Sequence, residues 1–140
     1  MIADVRTYAR ARLDSLGYTE WTDGFNFKNI PSTLLDTRYH LELLPVRGVS
    51  DSQQSQVMEA PVTVRLFKAA VRDARQTIDD GVSVGDTVIY EFLKASNRTS
   101  GASLKNVRFD SMAIEPLDET NDNGVIIKID FTCHVEISTI

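Results

Sequence analysis

From Val125 to Ser138 the chain alternates without a break. Val125, Ile127, Ile129, Phe131, Cys133, Val135 and Ile137 take one parity; Ile126, Lys128, Asp130, Thr132, His134, Glu136 and Ser138 take the other. A period of two is the mark of a strand with one face in a core, and a slip of one residue would turn every apolar side chain outward. A strand of this length needs a partner to match. Residues 104–116 supply it, strand-like from Leu104 to Ile114 and stopping at Pro116. The polar stretch Asp118 to Gly124 joins the two, and its Asn123-Gly124 is a strong hairpin signal. A long antiparallel C-terminal hairpin follows.

Two stretches step by three or four residues instead. Ile2, Val5, Ala9, Leu13 and Leu16 form an apolar stripe, with Arg6, Arg10, Arg12 and Asp14 largely off it and Gly17 placed as a C-cap. This spacing predicts a helix over 2–16. Val71, Ala74, Ile78, Val82, Gly85, Ile89 and Phe92 form a second stripe and predict a helix over 72–95. Gly81 and Gly85 lie inside it, each costing about 1 kcal/mol relative to Ala. Either they break the helix or they let it approach a sheet closely, and one helix is expected.

Tyr39, Leu41 and Leu43 alternate with His40, Glu42 and Leu44, a strand ending near Pro45. Val62, Val64 and Leu66 alternate with Thr63, Arg65 and Phe67, a second. Tyr18, Trp21, Phe25 and Phe27, interrupted by the turn Asp23-Gly24, are expected to pack the first helix against the sheet. Residues 48–59 are polar, rich in Gln and Ser and without periodicity, and read as a long exposed loop. Asn97 to Gly101 reads as a polar turn. The order helix, strands, helix, strands gives an α+β fold: a single, mostly antiparallel sheet with two helices packed on one face and the long hairpin at the C-terminus. One domain spans 1–140.

No catalytic constellation emerges. His40 and His134 each fall on the polar side of a strand, with no second ligand at a metal spacing. Glu119, Asn121, Asn123, Gly124 and Asp130 echo a calcium loop, but its first and last residues are exchanged, and a hairpin turn explains them better. Asp79 and Asp80 are neighbours on a helix and point apart. Cys133 lies on the apolar side of its strand, and as a lone cysteine it excludes an internal disulfide. No apolar run comes near the roughly twenty residues of a membrane helix, and no basic-then-apolar leader precedes Asp4. With 15 basic and 20 acidic residues, a net charge of −5, the chain is poorly suited to gripping phosphates. We therefore expect no catalytic residue, no cofactor and no metal, and a protein that works by binding other proteins.

The stretch Asn29-Ile30-Pro31-Ser32-Thr33-Leu34-Leu35-Asp36, running into Tyr39-His40-Leu41-Glu42-Leu43, resembles the tail terminator proteins of long-tailed bacteriophages. So do Pro61-Val62-Thr63-Val64-Arg65-Leu66-Phe67-Lys68 before a long helix, Asn97-Arg98, Leu104-Lys105-Asn106-Val107, and Glu115-Pro116-Leu117-Asp118 before Asn121-Asp122-Asn123. Together these cover most of the chain in order. The resemblance implies an α+β subunit of a homo-hexameric ring in the virion, at the top of the tail. Such a ring caps the tail tube, ends its polymerisation and meets the neck or head–tail connector proteins, while DNA passes through the lumen without specific binding. Assembly would take place in the host cytoplasm, with no membrane involved. Family members usually have a continuous apolar helix where this chain has Gly81 and Gly85.

A ring closed by rotation needs complementary patches on each subunit. The hairpin 104–138 and the helix 72–95 are expected to supply them, and the residues expected at the ring interface are Arg65 and Phe67 of the preceding strand with Arg72, Arg75, Lys128, Asp130 and His134. The polar loop, through Val49, Asp51, Gln53, Gln54, Gln56, Val57, Met58 and Glu59, is expected to order against tube or neck, so that deleting 49–57 spares folding and abolishes capping. A neck or head-completion connector is the alternative of the same class. A small monomeric hydrolase or ligand-binding domain is the alternative of another, and would need a pocket of converging polar groups.

Overall fold

The computed structural model describes residues 2–51, 55–71, 73–94, 103–118 and 123–138. In chain order these form α1 (Ile2–Ser15), β1 (Thr19–Glu20), β2 (Arg38–Leu43), β3 (Arg47–Asp51), β4 (Ser55–Ala69), α2 (Ala74–Leu93), β5 (Leu104–Pro116) and β6 (Gly124–Ser138), with single 3-10 turns at Phe27–Asn29 and Leu35–Thr37. One mixed sheet runs β1-β2-β4-β6-β5, with β3 also on β4. Only the two-residue β1 is parallel to its neighbour. The α+β class, the single sheet, the two helices and the C-terminal hairpin are as the patterns predict.

The sheet is built on β4 and β6, which pair from Ser55↔Ser138 to Ala69↔Gly124. β2 and β3 share the other side of β4, through Leu43↔Val62 and Arg47↔Glu59. Between them Leu44 N–H donates to the Pro61 carbonyl at 3.0 Å, so the two behave as one interrupted strand. This overturns the exposed loop over 48–59. Residues 47–51 and 55–59 are strands, and Gln56 and Val57 pair with Ile137 and Glu136 of β6. The long strand β6 imposes the extended conformation on 55–59, and 55–59 in turn pairs with 47–51, although the local sequence has no alternation to announce it. Deleting 49–57 would therefore remove sheet, not a dispensable loop.

One face of the sheet holds the core. Ile127, Ile129, Phe131 and Val135 of β6 and Val64 and Leu66 of β4 are fully buried there, against Val5, Ala9 and Leu13 of α1 and Val88 and Phe92 of α2. The Phe92 ring stacks on Phe131 at 4.4 Å, and Tyr8 Oη donates to the Phe92 carbonyl at 2.7 Å, tying the helices together. Gly17, at φ +90°, ends α1. Asp73 caps α2 by accepting from Arg75 N–H at 2.9 Å.

α2 is unbroken, and its glycines are the reason it lies so close to the sheet. A Cβ on Gly81 would meet Ile127 at 3.4 Å and Ile114 at 3.5 Å; one on Gly85 would collide with the Met112 thioether. The buried stripe is Thr77, Gly81, Gly85, Val88 and Phe92. It is rotated from the expected one, leaving Ile78 and Val82 on an exposed flank. Small residues, not the largest ones, occupy the contact line.

The aromatic segment corrects a further expectation. Tyr18 does pack on the helix side. Trp21 and Phe27, however, join Ile30, Leu34 and Leu35 in a second cluster on the opposite face, over Phe67 and Ile126. The parities of Phe67 and Ile126 require this, since their neighbours in sequence point to the helices. Phe25 remains largely exposed.

Candidate interaction surface

Beyond Phe67, Ile126 and His40, over which the aromatic segment lies, the face away from the helices is polar and no helix covers it. The register sets Arg65 beside Lys128, Thr63 beside Asp130 and Glu59 beside His134. It adds Glu42 beside Thr63 on one side, and Arg108 beside Thr132 and Ser111 beside Asp130 on the other. Alternation places every one of these side chains on the same face, where cross-strand neighbours touch.

The side chains are tightly paired. Asp130 accepts from Thr63 Oγ1 at 2.6 Å and Ser111 Oγ at 3.0 Å. Asp110 accepts from Thr132 Oγ1 and from Arg108 Nε, the latter at 2.8 Å. Burial pushes the Asp110 carboxyl up, but these hydrogen bonds outweigh it and hold it below the usual range. Arg47 bonds Glu59 at 2.8 Å and holds that carboxyl low; His134 Nε2 lies 3.5 Å from the same group. Arg65 bonds Glu42 at 2.9 Å and lies over the Phe25 ring at 5.3 Å. Pairs with an exposed partner, such as Arg47 with Glu59, contribute about 0–1 kcal/mol each; Thr63 and Thr132 are buried, and their hydrogen bonds to Asp130 and Asp110 satisfy polar groups away from water. The array leaves a rigid, charged face available to a partner.

The expected residues fall in different places. Arg65, Lys128, Asp130 and His134 share this face. Phe67 points the same way but is 2% exposed beneath the aromatic cluster, which corrects its placement in a subunit contact. Arg75 is exposed at the start of α2, on the other side of the molecule. Val49 and Asp51 are in β3; Gln56, Val57, Met58 and Glu59 are in β4, with only Gln56 among these four exposed. Gln53, Gln54 and Arg72 lie outside the described residues, as do the turn at 97–101 and Glu119 and Asn121 of the calcium echo. Glu42, Thr63, Arg108, Asp110 and Thr132 were missed. Only the register, which no local pattern carries, brings them beside the others.

His40 is not a surface group. It is 8% exposed, its ring 4.9 Å from Phe25 and 5.1 Å from Phe27. Burial, then the charge of Arg65, lowers its pKa. Burial pushes the Cys133 thiol up to about 12, so it is a small hydrophobe and not a nucleophile. Among the described residues no group of three or more His, Cys, Asp or Glu is placed to hold a metal. A cleft of about 410 Å³ lies between Ile30, Leu35 and Leu117, with Lys28 and Asp118 at its margin. No helix among the described residues is long and apolar enough to cross a membrane.

Fold and surface together define a class: a single-sheet α+β protein with one charged, uncovered face and, among the described residues, no strand paired to the outer side of β5 or β3. Compared with known proteins, the chain matches no family model and no curated protein.

Proposed function

We propose that this chain is a tail terminator of a long-tailed phage, a non-enzymatic subunit whose ring caps the tail tube and presents a surface to the neck proteins. Two things support the reading. One is the ordered resemblance from Asn29 to Asn123. The other, which carries it, is the shape of what is left unpartnered: a sheet finished on its helix side, polar on the other, and, among the described residues, with no strand on the outer side of β5 at one edge or of β3 at the other, where β1 covers only the start of β2. Bulges in β5 and β3 restrict what can add to these edges, and among the described residues no strand covers either. Charged residues of both signs share the uncovered face, with Glu42, Glu59 and Asp130 among Arg65 and Lys128. In the lumen of a ring such a face would let DNA slide past without gripping it.

The test is the mass of the purified protein by light scattering on a sizing column, with electron images of the peak alone and mixed with polymerised tail-tube protein. A ring, or a monomer that becomes a ring on tube ends, is the expected result. A monomer that ignores tube ends would overturn the proposal.

A further inference from the structure

We infer that the subunits join edge to edge, β5 of one copy adding to β3 and to the end of β2 that β1 leaves uncovered, Leu41–Leu43, of the next, so that the sheet continues from subunit to subunit. This rests on the ring reading above and specifies the contact within it.

The two ends of the sheet are complementary in four respects. The first is strand direction. β2 and β3 run opposite to β4, β4 opposite to β6, and β6 opposite to β5. A copy placed alongside by rotation about an axis parallel to the strands brings β5 against β2–β3 in antiparallel sense, the better-bonded pairing.

The second is height. Leu43, Val62, Phe131 and Phe109 form one row across the sheet, and Arg47, Glu59, His134 and Asn106 another. Val46, between Leu43 and Arg47, therefore stands level with the stretch 106–109 of β5. Bulges between Leu104 and Asn106 and between Phe109 and Ser111 bracket that stretch, so they limit the registers open to an incoming strand.

The third is apolar surface. Exposed large hydrophobic side chains stand at both ends, Phe109, Ile78 and Val82 at one and Val46 and Val49 at the other, all 37–42% exposed; Phe25, Val71 and Tyr90 are exposed as well. Ile78 and Val82 belong to the β5 end because Gly85 of α2 sits on Met112 of β5, while the opposite flank of α2 meets α1 through Glu91 and Arg12 at 3.9 Å.

The fourth is charge. The outer side of α2 carries exposed Asp79 and Asp86, with Arg75 on the same stripe at its first turn. The flank of α1 away from α2 carries exposed Arg6 and Arg10, Arg10 reaching Glu20 of β1. Edge-to-edge placement sets the acidic flank against the basic one, which favours this partner and steers its approach. Because the two patches differ, the contact is heterologous, the kind that generates a ring.

Mixing two blocked variants tests this. Val46→Asp spoils one edge and Phe109→Asp the other; both positions are at the surface, and circular dichroism checks folding. Each variant alone is expected to run as a 15.6 kDa monomer under conditions where the wild type forms the ring. An equal mixture is expected to give a dimer of twice that mass, since one intact edge remains on each partner. If either variant fails to fold, the pair Asp79→Lys/Asp86→Lys and Arg6→Glu/Arg10→Glu replaces them, with recovery expected when all four changes are combined in one chain. A mixture that stays monomeric, or a Val46→Asp variant that still forms rings, overturns edge pairing. If the wild type forms rings in the same experiment, the terminator reading survives that failure. If the wild type forms none, alone or on tubes, both fall.

Discussion

The two faces of this sheet are made from the same strands and have opposite characters. On the helix side nearly every inward residue of β4 and β6 is buried, and two helices complete a dry core. On the other side an aromatic segment covers Phe67, Ile126 and His40, and hydrogen-bonded polar and charged groups occupy much of the rest. The first face makes the molecule fold. The second, with the two open edges, is where it has surface to offer. Substitutions on the two faces should separate along the same line.

The largest effect belongs to the helix side. Phe131→Ala removes a fully buried ring stacked on Phe92 and should cost about 3–5 kcal/mol, read from chemical denaturation. A smaller loss would mean that the core relaxes around the cavity. Next is the α2 contact line. Gly85→Val must displace Met112 and should cost about 1–3 kcal/mol by overpacking. Gly81→Ala meets only ordinary contacts at 3.4–3.6 Å, so the better helix former should add about 0.5–1 kcal/mol. Similar losses at both glycines would contradict the close packing at Gly85 in particular.

On the opposite face the expected effects are smaller and depend on pH. The folded-state pKa of His40 is lowered, first by burial and then by Arg65, so the unfolded chain takes up its proton first. Its contribution to stability is full above the ordinary value near 6.5 and is lost as the pH falls below it. Replacing His40 with Phe should flatten stability in that window; an unchanged pH profile would show that the imidazole is not held neutral. Smallest of all, Lys128→Ala should change stability by less than about 0.5 kcal/mol. A loss above 1 kcal/mol would mean that this face contributes more to folding than its pairs suggest.

How much of this was legible in the sequence depended on whether the signal was local. β6 and α1 carry their own periodicity, β5 has strand-like residues bounded by Pro116, and all three were read within a residue or two of their observed ends. The strands within 48–59 were missed because Gly48, Ser50, Gln56 and their neighbours have no alternation; their extended form comes from β6 pairing with residues 55–59 and from those residues pairing in turn with 47–51. α2 was found, but its buried side was misjudged. Periodicity counts large side chains, and here Gly81 and Gly85 make the contact while Ile78 and Val82 do not. The polar face was visible one strand at a time, as Thr132, His134 and Asp130 on one parity of β6. That Thr63, Arg65, Glu42 and Asp110 stand beside them depends on register across four strands. The helical cover over Phe67 was hidden for a similar reason: nothing near Trp21 or Phe27 says which side of the sheet they will meet.

The most direct test of the account is amide hydrogen exchange on the protein alone and bound to tail-tube ends. Edge-to-edge assembly predicts that amides of β5 and of residues 41–51 gain protection on assembly, while the central strands β4 and β6 stay as slow as before. Unchanged exchange along both edges, with protection appearing only on the outer faces of the helices, would contradict it.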